Sequence, residues 1–130
     1  MRILVTGSRD WSSWATVTWA LKDAVSGRDD EPITVIHGGC PSGADEAADV
    51  IGSCAGYLIE IHEANWRANG KAAGFIRNQE MVDVGADICL AFLMPCKKSG
   101  CRKPPHDSHG TADCVKRARA AGIHVREYRP

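Results

Sequence analysis

The chain lacks any long apolar run. Nothing in its 130 residues approaches the ~18 consecutive apolar positions of a bilayer-spanning helix, so a helical membrane span is excluded. It lacks net charge, because sixteen Lys and Arg balance sixteen Asp and Glu. No export leader is expected, since MRILVTGSRDW runs from a few apolar residues straight into Gly7 and charge. The expected location is therefore the cytoplasm. Two familiar phosphate-binding signatures are missing, since no Gly-Lys-Ser/Thr closes a P-loop and no Gly-x-Gly-x-x-Gly follows a strand. Internal repeats and low-complexity tracts are absent too. With 44% hydrophobic and 25% charged residues, disorder, collagen and coiled coil are excluded.

What remains is an ordinary globular composition at the length of one domain, residues 1–130. The neutral total conceals a division. Residues 1–96 hold seven basic and thirteen acidic side chains, and residues 97–130 hold nine basic and three acidic. A basic C-terminal part either meets an anionic partner or pairs with the acidic remainder of its own fold. Six cysteines are present. In the cytoplasm they are expected as free thiols, with Cys54 and Cys89 read as small core residues from their apolar surroundings.

Apolar patterning gives an alternation of strands and helices. Arg2–Thr6, Ile33–His37, Tyr57–His62, Asp87–Met94 and Ile123–Tyr128 read as strands. Helices are expected over Ser12–Ser26 (capped by Ser12), Gly43–Cys54, Lys71–Val84 and Thr111–Ala121 (capped by Thr111). The strands are apolar without alternation, as in a sheet covered on both faces. The expected fold is a Rossmann-like three-layer α/β/α sandwich with a parallel five-stranded sheet of order 3-2-1-4-5. Ligands of such sheets sit at the switch point, outside the strand C-termini.

Four stretches fall there. Gly7-Ser8-Arg9 follows the first strand; its glycine allows a tight turn, and Ser8 and Arg9 can hold an anion. Gly38-Gly39-Cys40-Pro41-Ser42-Gly43-Ala44-Asp45 joins the second strand to a helix, and its three glycines suggest a backbone-lined concavity. Ser42 and Asp45 also fit a Ser-x-x-Asp capping box. Trp66-x3-Gly70-Lys71-x2-Gly74-x2-Arg77-Asn78-x2-Met81 places Gly74, Arg77, Asn78 and Met81 on adjacent helical turns. Arg77 either binds a phosphate or pairs with Asp45, and Trp66 is either core or a stacking surface for a base. Gly110-Thr111-Ala112-Asp113 opens the last helix, where Asp113 is either a dipole partner or an acid/base group.

In this order the four stretches resemble the SLOG superfamily. That group includes YspA-like and YpsA-like nucleotide-binding domains, the LOG phosphoribohydrolases and the DNA-processing protein DprA. The nearest resemblance is to small YspA-related SLOG proteins of actinobacteria and their phages. It implies a nucleotide or nucleotide-derived ligand at Gly7, Ser8, Arg9, Gly38, Gly39, Gly43, Asp45, Arg77, Asn78, Gly110 and Thr111, with no cofactor required. By resemblance to the LOG enzymes, Arg77 and Asp113 would be catalytic in cleaving the N-glycosidic bond of a nucleoside 5′-monophosphate, and a homodimer is implied. The chain departs from that pattern: no Pro-Gly-Gly precedes Gly110-Thr111, and Asp stands for the usual Glu. A sensor without turnover therefore stays open beside the enzyme. A DprA-like single-strand nucleic-acid binder is a third reading, resting on Lys97, Lys98, Arg102 and Lys103, although that loop has no aromatic to stack on bases.

The loop 95–109 stands outside the resemblance. Cys96-x4-Cys101-x4-His106-x2-His109 supplies two thiolates and two imidazoles, a set that suits structural zinc, although the spacing is looser than a Cys-x2-Cys knuckle. The competing reading is a basic loop with free thiols. His37 and His62, at strand ends, read as structural histidines, with pocket lining the alternative for His37.

Overall fold

A computed structural model describes all residues, Met1–Pro130. Five strands, β1 (Arg2–Gly7), β2 (Thr34–His37), β3 (Leu58–Ile61), β4 (Ile88–Phe92) and β5 (His124–Tyr128), form one sheet of order β3-β2-β1-β4-β5. Every neighbouring pair is parallel. This is the expected Rossmann-like α/β fold, and its order reverses direction between β1 and β4.

The alternating side chains of the central strands feed two cores. Ile3, Val5, Val35, Leu90 and Phe92 pack under α1 (Trp14–Val25) and α2 (Gly43–Cys54). On the other face Leu4, Ile36 and Cys89 pack under α4 (Ala73–Val84) and α5 (His109–Ala120). Both faces are thus covered, which is why β1 and β4 contain few polar residues. Phe92 closes the first core at the C-terminal end of β4, between Trp11 (ring centroids 5.3 Å apart) and Tyr128 (5.1 Å, stacked).

Several local expectations are corrected. A short helix, α3 (Trp66–Asn69), capped by the Asn65 side chain, and a 3₁₀ turn at Gly70–Ala72 precede α4. The tight turn at Gly70, whose φ is +54°, separates α3 from α4. Trp66 is consequently 54% exposed and not core. Cys54 is exposed, because it ends α2 on the solvent side, whereas Cys89 is buried as expected. Ser13, not Ser12, caps α1 by accepting the Thr16 N–H. The last helix starts at His109 behind Ser108, so Thr111 is a buried first-turn residue and not the cap. Ser42 occupies the N-cap position of α2 but makes no capping bond with its side chain. The Asp45 carboxylate turns instead to the Cys40 N–H at 3.2 Å, so no capping box forms.

Four of the nine basic side chains after residue 96 are paired with acids, and only one of these pairs, Arg126–Asp23, reaches the acidic part of the chain. Arg117 meets Asp113, Arg119 meets Glu127, Arg126 meets Asp23, and Arg129 meets Asp107. Lys97, Lys98, Arg102 and Lys103 stay exposed in the loop after β4. No helix is long and apolar enough to cross a membrane.

Candidate functional site

The C-terminal ends of β1, β2 and β4 gather an unusual number of buried polar side chains. Thr6, Ser8, His37, Asp45, Asn78 and Thr111 are all buried. Thr6 lies in β1 and His37 ends β2; Ser8 follows β1, and Asp45, Asn78 and Thr111 lie on the helices that follow β2, β3 and β4.

After β1, Ser8 extends the ladder by donating its N–H to the Phe92 carbonyl at 3.1 Å. Its own carbonyl accepts from Trp11 N and Ala44 N, which pins the 8–11 turn onto the start of α2. Its hydroxyl accepts from Asp10 N at 3.1 Å. Arg9 is exposed. The close approach of turn and helix explains two glycines. A Cβ on Gly43 would run into the Ser8 carbonyl and the Arg9 backbone, and Gly43 has φ +74°. A Cβ on Gly7 would run into the Ala44 side chain. These two glycines make room for neighbouring protein: the turn after β1 packs directly on the start of α2.

After β2, the Gly39 N–H donates to His37 Nδ1 at 3.0 Å. That leaves His37 Nε2 to carry the proton toward Asp49, 2.7 Å away. His62 is similarly paired with Glu60. Both histidines are structural, as expected. Asp45 lies in the first turn of α2 among Cys40, His37 and Arg77. Burial lifts its carboxyl above its ordinary value, opposed by the Cys40 N–H and the nearby Arg77 guanidinium.

Arg77 is the hub. Its guanidinium fills the space left by the missing side chain of Gly38. Nη1 donates to the Gly38 carbonyl at 2.7 Å and to the His62 carbonyl at 3.4 Å. Nε donates to Asn78 Oδ1 at 3.1 Å. Nη2 keeps its donors free, 4.0 Å from where a Gly74 Cβ would stand. The Trp66 ring lies 3.6 Å from that same point. Gly74 thus lets a half-exposed indole and a fixed guanidinium share one small surface. Trp66, read from the sequence as either core or a stacking surface for a base, takes the exposed of these two places.

Asn78 continues the network. Its Nδ2 donates to the Gly110 carbonyl and to Asp113 Oδ2, each at 3.1 Å. Asp113 Oδ2 also accepts from Arg117 Nε at 2.8 Å, so this carboxylate straps α4 to α5. Thr111 is held by the Ser108 hydroxyl at 3.1 Å. Beneath them Cys114 is pushed up to about 11, chiefly by burial. The structure therefore brings Ser8, Gly38, Gly43, Asp45, Arg77, Asn78, Gly110, Thr111 and Asp113 to one end of the sheet. Gly39 faces Glu63 and Ile61 at the β3 edge. A concavity of about 430 Å³ runs between α4 and α5, from Asp113 along Lys116 and Arg117 to Ala120, with Gln79 on its other side.

Cys96, Cys101, His106 and His109 form a second cluster. Their ligand atoms all lie within 4.8 Å of one another, an arrangement that could hold a metal ion.

Comparison with known proteins adds two findings. Residues 1–68 match the profile of the YspA, cpYpsA-related SLOG family. The chain is also 41% identical over 129 residues to the Gene 61 protein of Mycobacterium phage D29, covering 95% of this chain and 93% of that protein. No solved structure matches it significantly.

Proposed function

Since the chain belongs to the YspA, cpYpsA-related SLOG family, which points to a nucleotide-related binding domain, we propose that it binds a nucleotide or nucleotide-derived compound at the C-terminal end of its sheet. The observation that carries this reading is Arg77. Three acceptors hold its guanidinium still while Nη2 remains free beside Trp66. A fixed fork suits a phosphate, and an exposed indole next to it suits a base. Ser8, Asn78, Gly110 and Thr111 complete the contact set, with Gly7, Gly38, Gly39, Gly43 and Asp45 shaping the turns that carry them. Calorimetric titration with AMP, ADP-ribose and NAD tests it. At least one should bind the wild type, and Arg77→Ala should weaken binding more than tenfold. Absence of heat with all three compounds refutes the reading.

Hydrolysis of an N-glycosidic bond is the second reading, favoured by the Asn78 amide that links Arg77 to Asp113. Arg77 would orient the phosphate, and Asp113 would stabilise an oxocarbenium-like transition state through Oδ1, the oxygen left free. Base release from AMP, lost in Arg77→Ala and Asp113→Ala, distinguishes it from a sensor that binds without turnover. Nucleic-acid binding through Lys97, Lys98, Arg102 and Lys103 would show instead as affinity that falls steeply with salt.

The four-residue cluster is read as structural zinc, since two thiolates and two imidazoles match a closed tetrahedral site. The chain is taken to work as one domain in the cytoplasm, where thiols stay reduced. A homodimer would cover apolar side chains exposed on β3 and α4, namely Leu58, Ile61, Phe75 and Ile76.

A further inference from the structure

We propose that zinc bound by Cys96, Cys101, His106 and His109 builds the first turn of α5, so that metal occupancy decides whether Gly110, Thr111 and Asp113 are held at the ligand end. This rests on the zinc reading above and adds a role to it.

The segment between β4 and α5 has almost nothing apolar to hold it. From Lys97 to Pro105 every residue is exposed except Cys101. Hydrophobic burial therefore cannot fix its shape. Backbone pairing secures its base, where Cys96 N donates to the His106 carbonyl at 2.7 Å and Pro95 bridges Asp107, and adds a single turn at the tip, Cys101 N to the Lys98 carbonyl at 3.1 Å. The four candidate ligands occupy complementary places. Cys96 and His106 face each other across the base, Cys101 stands at the tip, and His109 is the first residue of α5. One ion would thus join base, tip and helix.

The atomic arrangement suits that ion. Zinc bonds of about 2.3 Å to sulfur and 2.0–2.1 Å to nitrogen imply ligand–ligand edges of roughly 3.3–3.8 Å in a tetrahedron. Cys101 Sγ lies 3.8 Å from His106 Nε2 and 3.6 Å from His109 Nε2. The two imidazole Nε2 atoms are 2.8 Å apart, so a small opening of the pair completes the set. His106 is also oriented as a ligand. Its Nδ1 donates to the Pro104 carbonyl at 2.7 Å, which leaves the Nε2 lone pair directed at the cluster. Metal-bound histidines are commonly fixed in this way. Four protein ligands close the coordination shell, so the ion is structural and holds no position for substrate.

His109 connects the metal to the proposed ligand site. Gly110 follows it and accepts from Asn78, and Asp113 accepts from the same amide. With His109 anchored, the first turn of α5 is held at both its outer and inner sides. Without the ion, that turn and the 95–107 segment lose their common tether.

The test uses the full reduced chain and zinc ion as the only probe, so nucleotide affinity plays no part in it. Metal analysis should find one zinc per chain. Hydrogen exchange followed by mass spectrometry should show amides of residues 96–112 exchanging about tenfold faster or more after chelation, and slow again after zinc is restored. Amides of β4 should not change. Cys101→Ser and His106→Gln should lose the metal and exchange like the chelated wild type, while Cys54→Ser should retain it. If no zinc binds while Cys96 and Cys101 are reduced, the zinc reading falls and this inference with it. If zinc binds at one equivalent and exchange at 109–112 is unaltered, the cluster holds metal but does not build the helix start, and only this inference falls. A Cys96–Cys101 disulfide that protects the segment without metal would also overturn it.

Discussion

The Asn78 amide donates to the Asp113 carboxylate across the α4–α5 contact, Nδ2 to Oδ2, at 3.1 Å. The same side chain accepts from Arg77 through its oxygen and donates to the Gly110 carbonyl. One buried amide thus sets the guanidinium on one side and the start of α5 on the other. Truncating it leaves a carbonyl, a carboxylate and an arginine each short of a partner. Asn78→Ala should therefore destabilise the fold by about 1–3 kcal/mol. Urea titration should show a lower midpoint with an unchanged slope.

Gly38 and Gly43 should respond differently to the same small addition. A Cβ on Gly38 meets only the end of the Arg77 side chain, which can swing away. Gly38→Ala should cost about 1–2 kcal/mol of stability, through the Arg77 bonds it breaks, while weakening nucleotide binding nearly as much as Arg77→Ala. A Cβ on Gly43 meets backbone, at a positive φ. Gly43→Ala should cost about 2–4 kcal/mol. Denaturation and calorimetry on both variants separate the effects.

Phe92 is fully buried between Trp11 and Tyr128. Phe92→Ala should cost about 3–5 kcal/mol. The Trp11 fluorescence environment should change with it, because the indole loses its packing partner.

Glu60 on β3 reaches across β2 to Arg2, accepting from both of its terminal nitrogens, and also accepts from His62. These bonds, those from Arg2 first, hold its carboxyl below the ordinary value of 4.5. Its contribution is complete above pH 4.5 and is lost as pH falls through the depressed folded value. The pair is a third exposed, so water screening keeps the contribution under about 1 kcal/mol. Glu60→Gln should be slightly less stable than wild type at pH 7 and equal to it near pH 2, as read by thermal melts across that range.

The six cysteines should divide by burial and by metal. Cys89 and Cys114 are buried, and burial raises both thiols well above their usual value. They should react with a thiol reagent only after unfolding. Cys40 and Cys54 are accessible and should react in every native form. Cys96 and Cys101 should react in the chelated chain and be protected in the zinc-loaded one. Mass spectrometry after timed labelling counts each class.

Strand and helix order was legible because the central strands carry unbroken apolar runs, and only a sheet covered on both faces buries such runs. Arg77 and Asn78 were legible as site candidates because polar groups on a core-facing helical stripe require partners. The ends of elements were harder. Ser12 and Ser13 are adjacent and chemically alike, so only the backbone angles select the cap. The start of α5 was displaced to His109 because Ser108, in the loop, takes the cap position, and loop geometry has no periodic signal. Cys54 looked like core from its neighbours, yet a helix end turns one side to solvent whatever its local composition.

The amino-acid order by itself determined the parallel sheet, its 3-2-1-4-5 winding and the two thiol–imidazole pairs in one loop, because hydrophobic periodicity and ligand chemistry are local properties. Only the folded chain decided what the glycines are for. Whether a missing side chain leaves room for a ligand or for another part of the protein depends on which segments cross there. At Gly7 and Gly43 a returning loop and helix occupy the room, and at Gly38 the arginine does. That competition is between residues far apart in the chain, so it is settled by packing and not by pattern.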